Sequence, residues 1–269
     1  MTRPQEAEPT VQELFDLTGR AALVTGAAGW LGSSFARALA EAGASVVVSS
    51  RDAGRAREAA ACLPTPGGAV HHGVQLDHME PESLENGFRD AVDAVEKLDV
   101  LVNNGLEPLS GGIDDVTFEE FARHQANNAG YFMLARLMRN HAVARCAPAS
   151  IVMIGSMYGL VGSYPDAYEG LDFRSPVAYH ALKGGTIHLT RHLAVYWAQD
   201  NVRVNCLSPG PFPKDQTIEE VITRLSAKNP MKRMGRPHEL KGALLLLASD
   251  AGSYMTGQNI LVEGGWTAW

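Results

Sequence analysis

An α/β fold, with one parallel sheet of about seven strands flanked by helices, is what this 269-residue sequence predicts. Three observations lead there. Short apolar runs alternate along the chain with longer helical stretches, as βαβ units require. The runs over 21–25 and 45–49 are largely apolar, as strands covered on both faces of a parallel sheet are. A glycine-rich turn directly follows the first run and opens a helix.

The elements follow in order. Residues 1–17, with Pro4, Pro9 and charges of both signs, read as a flexible arm ahead of a single domain over 18–269. Ala21-Ala22-Leu23-Val24-Thr25 is an uninterrupted strand, and Gly26-Ala27-Ala28-Gly29-Trp30-Leu31-Gly32 leads into a helix through Ala42. A second strand over 45–49 ends at Ser50-Arg51-Asp52, and a helix over 53–62 follows. A strand over 69–76, a helix over 81–97, a strand over 98–102 and a helix over 117–144 continue the alternation. After a strand over 150–154, Pro176 suits the first turn of an apolar-rich helix running to Trp197. The last elements are a strand over 201–207, a helical region over 217–227, a helix over 237–249 and a strand over 259–262. No linker or repeat interrupts them.

Bulk properties narrow the function. The composition is 45% hydrophobic and 20% charged, as in soluble globular proteins, and the net charge of −7 comes without a basic block. Nucleic acid and anionic membrane surfaces are therefore poor partners. The longest aliphatic run, 243–248, is far too short to span a bilayer, and the polar, acidic start lacks a signal-peptide pattern. Cys62, Cys146 and Cys206 are odd in number and far apart, which suits reduced, buried thiols in a cytoplasmic protein. His71, His72, Asp77 and His78 straddle a strand and its end without a further ligand set, and no metal is expected. His188 and His192 lack the glutamate of a zinc-hydrolase motif, so a surface or interface role suits them.

A glycine turn between a strand and a helix is the setting a dinucleotide pyrophosphate needs. Glycine lets the backbone approach the phosphates, and the helix N-terminus offers unpaired N–H groups. At the end of the second strand, Ser50 stands where an acidic residue would hold a ribose diol, and Arg51 follows. Arginine there accommodates a 2′-phosphate, so NADP(H) is the expected cofactor, with NAD as the other candidate. Asp77 can contact the adenine or cap the next helix. Tyr179 and Lys183 are four residues apart in the helix begun at Pro176 and share a face. An ammonium beside a phenol lowers its pKa from about 10 and makes it a usable general acid or base.

Taken together these residues resemble the short-chain dehydrogenase/reductase family in its single-domain branch, with a Rossmann-type fold, over 15–269. Thr25-Gly26 with Gly32 is similar to its cofactor loop, and Leu101-Val102-Asn103-Asn104 to its fourth-strand motif. Asn127 with Gly130, Ile154-Gly155-Ser156 and the Tyr179/Lys183 pair resemble its catalytic motifs. Ser208-Pro209-Gly210 resembles its nicotinamide-side loop, and Val262-Glu263-Gly264-Gly265 its C-terminal strand ending. The resemblance implies that Tyr179 exchanges a proton with the substrate oxygen and that Ser156 hydrogen-bonds the same atom. It implies that Lys183 tunes Tyr179 and binds the nicotinamide ribose, while Asn127 holds a water linking Lys183 to solvent. Cofactor contacts are implied for Gly26, Gly29, Trp30, Leu31, Gly32, Ser50, Arg51, Asp77, Asn104, Tyr179, Lys183, Pro209, Gly210 and Phe212. A homotetramer or homodimer acting on a small carbonyl or alcohol substrate is the further implication.

Several positions depart from the pattern. Trp30 replaces a glycine of the loop, Gly105-Leu106 replaces Ala-Gly, and Lys214 stands where threonine is common. Ser156 and Tyr179 are 23 positions apart, so a stretch over 162–174 loops out between them. It carries Tyr164, Asp166, Tyr168, Glu169, Asp172 and Arg174, groups suited to a polyhydroxylated substrate; alternatively the loop covers the cleft or meets a second subunit. With Gly210-Pro211-Phe212-Pro213 and the 266–269 tail, it resembles members acting as gluconate 5-dehydrogenases or in nonulosonic acid pathways. A catalytically silent dinucleotide-binding regulator and an imine or cyclic-ketone reductase are the alternatives.

Overall fold

The computed structural model describes residues 8–108, 111–171 and 174–268. One sheet of seven parallel strands has the order β3-β2-β1-β4-β5-β6-β7. The strands are β1 (Ala21–Val24), β2 (Ser45–Ser50), β3 (His72–Gln75), β4 (Val100–Asn103), β5 (Ala149–Ile154), β6 (Val202–Pro209) and β7 (Asn259–Val262). The order reverses between β1 and β4, which pair with Leu23 opposite Leu101. In sheets of this kind the crevice at such a reversal, beyond the carboxyl ends of the strands, receives the ligand.

Helices α2 (Trp30–Glu41), α3 (Ala53–Ala61), α4 (Pro81–Val95), α5 (Phe118–Ala144), α6 (Val177–Trp197), α7 (Glu219–Lys228) and α8 (Lys241–Ala248) follow a short α1 (Val11–Phe15). Alternate strand residues feed two cores, as the two-residue side-chain period demands. Leu23, Val47, Leu101, Ile151 and Val204 pack with Leu134 and Met138 of α5 and Ile187 and Leu193 of α6. Val24, Val46, Val48, Val102 and Val152 pack with Phe35 and Leu39 of α2 and Leu244 and Leu247 of α8. Among the described residues no helix is long and apolar enough to cross a membrane.

Three expectations need correction. The arm over 1–17 does not extend to its second half: residues 1–7 lie outside the described residues, but Thr10 and Glu13 form a capping box on α1. Leu17 beyond it is buried, at 2% exposure. The third strand begins at His72 rather than Ala69 because the ring of His71 takes over the pairing there. Its Nδ1 accepts from the backbone N–H of Val46 at 3.1 Å, and Nε2 donates to the carbonyl of Pro64 at 2.8 Å. Of the three thiols only Cys206 is buried; Cys62 and Cys146 are exposed.

Candidate active site

A cleft of about 710 Å³ opens over the reversal between β1 and β4. Its floor is stitched from two loops. Thr25 Oγ accepts from the backbone N–H groups of Asn104 (2.9 Å) and Gly105 (2.8 Å), and the Asn104 amide donates to the Thr25 carbonyl (2.9 Å). Gly26 has φ +61°, and a Cβ on it would stand 2.9 Å from Gly105 Cα; only glycine suits both demands. At Gly32 a side chain would strike the Gly26 carbonyl. Gly29 caps α2 with no side-chain hydrogen bond, so the first-turn N–H groups remain available to an anion. Trp30 does not plug the loop, since Ala28, Gly29, Leu31 and Gly32 line the same cleft beside it. The indole Nε1 of Trp30 is buried without a partner among the described residues.

Past β2, Ser50, Arg51 and Asp52 reach the cleft together with Arg55 of α3. The Asp52 carboxylate is occupied as the α3 N-cap, accepting from Arg55 N–H at 2.8 Å. Asp77 both lines the cleft and caps locally, accepting from the Met79 N–H at 3.0 Å. On the opposite lip stand Pro209, Gly210, Phe212 and Lys214. Gly210 permits close contact with β7, because a Cβ there would lie 2.6 Å from Glu263 Cα.

Ser156 leaves β5 where Gly155 and Gly159 let the chain press onto β6 and α6: a Cβ on Gly159 would meet Lys183 O at 2.7 Å. This contact brings Ser156 and Tyr179, 23 residues apart in sequence, into the same cleft. Lys183, one helical turn on, is 3% exposed; its Nζ donates to the Ile154 carbonyl at 2.7 Å and lies 5.6 Å from the Tyr179 ring centre. Burial brings the Lys183 pKa down to about 8. The Tyr179 phenol is pushed up by burial, an effect the nearby Ser156 hydroxyl opposes. The expectation that the ammonium leaves the phenol more acidic than usual is thus not met in the ligand-free protein. Burial dominates the phenol, and the Lys183 Nζ is turned to Ile154.

Asn127 stands behind the cleft, fully buried in α5. Its amide is saturated: Oδ1 accepts from Glu107 N–H (2.9 Å) and from His78 Nε2 (2.8 Å), and Nδ2 donates to His124 O (2.8 Å). The remaining residues expected at the cofactor, from Gly26 to Phe212, line the cleft itself. Sequence reading missed Arg55, His78, Leu106, Glu107 and Pro108, which line it as well. Arg55 was within reach of the helical period, one turn past Arg51; His78 and Glu107 carry no motif. Among the described residues no cluster of three or more metal-ligating side chains exists.

Of the charged groups in the loop over 162–174, Asp166 is drawn to α7 rather than left free for a substrate. Asp166 pairs with Lys228 of α7 at 2.6 Å, and Arg224 donates to the Glu169 carbonyl at 2.6 Å. Tyr164 packs edge-on against Trp266 at 5.4 Å, and the Tyr158 and Tyr168 hydroxyls are 3.1 Å apart. Arg174 donates to Leu171 O at 2.8 Å; Asp172 and Trp269 lie outside the described residues.

The cleft fits a dinucleotide on its own geometry: a cradle closed to side chains at Gly26 and Gly32, an uncapped helix end and an unpartnered buried indole N–H beside it. The fold and this cleft define a dinucleotide-binding α/β protein. A family model described as enoyl-(acyl carrier protein) reductase matches residues 26–267. A short-chain type dehydrogenase/reductase from Mycobacterium marinum superposes with a TM-score of 0.88 at 32% identity, covering 97% of this chain and 100% of that one. The gluconate 5-dehydrogenase from Burkholderia cenocepacia, solved in complex with NADP and tartrate, superposes with a TM-score of 0.86 at 27% identity, covering 97% and 100%. The galactitol 2-dehydrogenase (L-tagatose-forming) of Cereibacter sphaeroides is 36% identical over 264 residues, 95% of this chain and 98% of that protein. The chain belongs to the short-chain dehydrogenase/reductase family.

Proposed function

We propose that the protein is an NADP(H)-preferring oxidoreductase that interconverts a secondary alcohol and a ketone on a polyhydroxylated, sugar-like substrate. The observation that carries the reading is the placement of Ser156, Tyr179 and Lys183 together in the cleft floored by the glycine loop, with Lys183 Nζ 5.6 Å from the Tyr179 ring centre. Gly26, Gly29 and Gly32 would hold the pyrophosphate, Arg51 and Arg55 the 2′-phosphate, and Pro209, Gly210 and Phe212 the nicotinamide end. When bound, the nicotinamide supplies or accepts the hydride. Tyr179 holds its proton at neutral pH because burial raises its pKa, so the phenol is ready to donate to a ketone oxygen. Ser156 donates to the same oxygen as negative charge grows there. Lys183 places a cation beside both. The substrate class rests on the relatives, whose names specify galactitol and gluconate.

The test is a panel of polyols, ketoses and sugar acids assayed with both cofactors. Turnover of cyclic ketones alone would sink the substrate class. Arg51→Asp should lower the NADPH-over-NADH preference in kcat/KM by about 10- to 100-fold, the value of one charge-assisted hydrogen bond. An unchanged ratio would remove Arg51 from the 2′-phosphate site.

The Lys183 pKa also sets a pH dependence. Below about pH 8 the free enzyme carries the ammonium, and above it the charge is lost. The kcat/KM of ketone reduction reports the free enzyme, so it should fall as pH rises through about 8. A profile without a descending limb there would contradict the assignment. Phe118 of α5 and Val195 and Tyr196 of α6 are exposed and support assembly through these helices into a homodimer or homotetramer. Sedimentation as a monomer would exclude it.

A further inference from the structure

Among the described residues His78 is the one imidazole that both lines the cleft and holds a member of the proposed machinery. It is 9% exposed, follows Asp77 at the end of β3, and stacks on Tyr131 at 5.5 Å with 14° between the rings. The Asn127 amide fixes its tautomer. Asn127 Oδ1 already accepts from the Glu107 N–H, and Nδ2 donates to His124 O, so the atom facing His78 is the oxygen. His78 Nε2 must therefore carry a proton and donate, across 2.8 Å. Burial lowers the imidazole pKa, which keeps the ring neutral with its single N–H committed to Asn127. The backbone is engaged too. Gly130 sits directly beneath the His78 carbonyl, where any Cβ would collide with it. Tyr131 completes the contact by donating its hydroxyl to Gly105 O at 2.7 Å.

We infer that His78 is a positioning residue for catalysis, fixing the 127–131 turn of α5 so that Asn127 keeps the orientation the proton route through Lys183 needs. The inference rests on the proposed function and on the part in it that the family resemblance implies for Asn127. Gly105 touches the same device: a Cβ there would press within 3.2 Å of His78 Nδ1.

The experiment is a double-mutant cycle on kcat, with melting temperature and cofactor Kd recorded alongside. Asn127→Ala and His78→Phe, which keeps a ring on Tyr131 but donates nothing, should each lower kcat by about 10- to 100-fold with substrate KM little changed. The double variant should be no slower than the worse single one. His78→Gln, whose amide N–H reaches the position of Nε2, should recover kcat to within about threefold of wild type. Losses that multiply in the double variant, a silent His78→Phe, or no recovery with Gln would overturn the inference. A silent Asn127→Ala would instead overturn the reading beneath it. Should His78→Phe fail to melt cooperatively, His78→Leu replaces it with the same readings.

Discussion

Tyr179→Phe will bind NADPH about as tightly as the parent protein and turn over at least about a thousandfold more slowly. A positioned general acid contributes about 100- to 10,000-fold, and the phenol also anchors the pair that receives negative charge on the substrate oxygen. The substitution removes one oxygen from a half-buried side chain, so the ring keeps its place beside His124, 6.3 Å away between centres. Ser156 Oγ keeps accepting from the Tyr158 N–H at 3.2 Å. Structure and cofactor affinity should therefore survive, and fluorescence titration with NADPH checks the second point. Residual turnover within tenfold of the parent would mean that another group delivers the proton. Loss of cofactor binding together with turnover would mean that the substituted ring had collapsed into the cleft.

Much of this site was legible in the sequence because its parts are local. A glycine turn after an apolar strand, a charge at the end of β2 and a Tyr/Lys pair at helical spacing each need only a few consecutive residues. The sheet was legible for the same reason: Val46, Val47 and Val48 form a run that fits nothing but a strand buried on both faces. What escaped depends on meetings between distant residues. His78 and Asn127 are 49 positions apart and Glu107 and Asn127 are 20 apart, and neither pair has a period or composition to announce it. The loop over 162–174 shows the opposite failure. Asp166 looks like a substrate ligand in sequence, yet Lys228 of α7 lies within reach and takes its carboxylate. The state of Lys183 could not be read either. Its spacing from Tyr179 is local, but its hydrogen-bond partner is the carbonyl of Ile154, on a strand 29 positions away.

That state makes Lys183→Met the more demanding test, because it should harm activity and improve stability together. Lys183 is 3% exposed, and its pKa falls from 10.5 to about 8 through desolvation. A base whose folded pKa lies below its unfolded value disfavours folding wherever the proton must stay on. The cost is therefore full below about pH 8 and relieved as pH climbs toward the unfolded value. At about 1.4 kcal/mol per pKa unit, it amounts to about 3 kcal/mol near neutrality. Methionine fills the same volume without charge, while the Ile154 carbonyl loses its donor at a cost of about 1 kcal/mol. The balance, about 2 kcal/mol, should raise the melting temperature of the ligand-free protein by about 4 to 8 °C at neutral pH. The gain should shrink in alkaline buffer, where wild-type Lys183 has already shed its proton. Turnover should fall with it, since no ammonium remains beside Tyr179. Scanning calorimetry of both proteins at neutral and alkaline pH decides the matter. A variant that melts lower at neutral pH would show that Lys183 is not stored as a destabilising charge, and that its place in the cleft is structural before it is chemical.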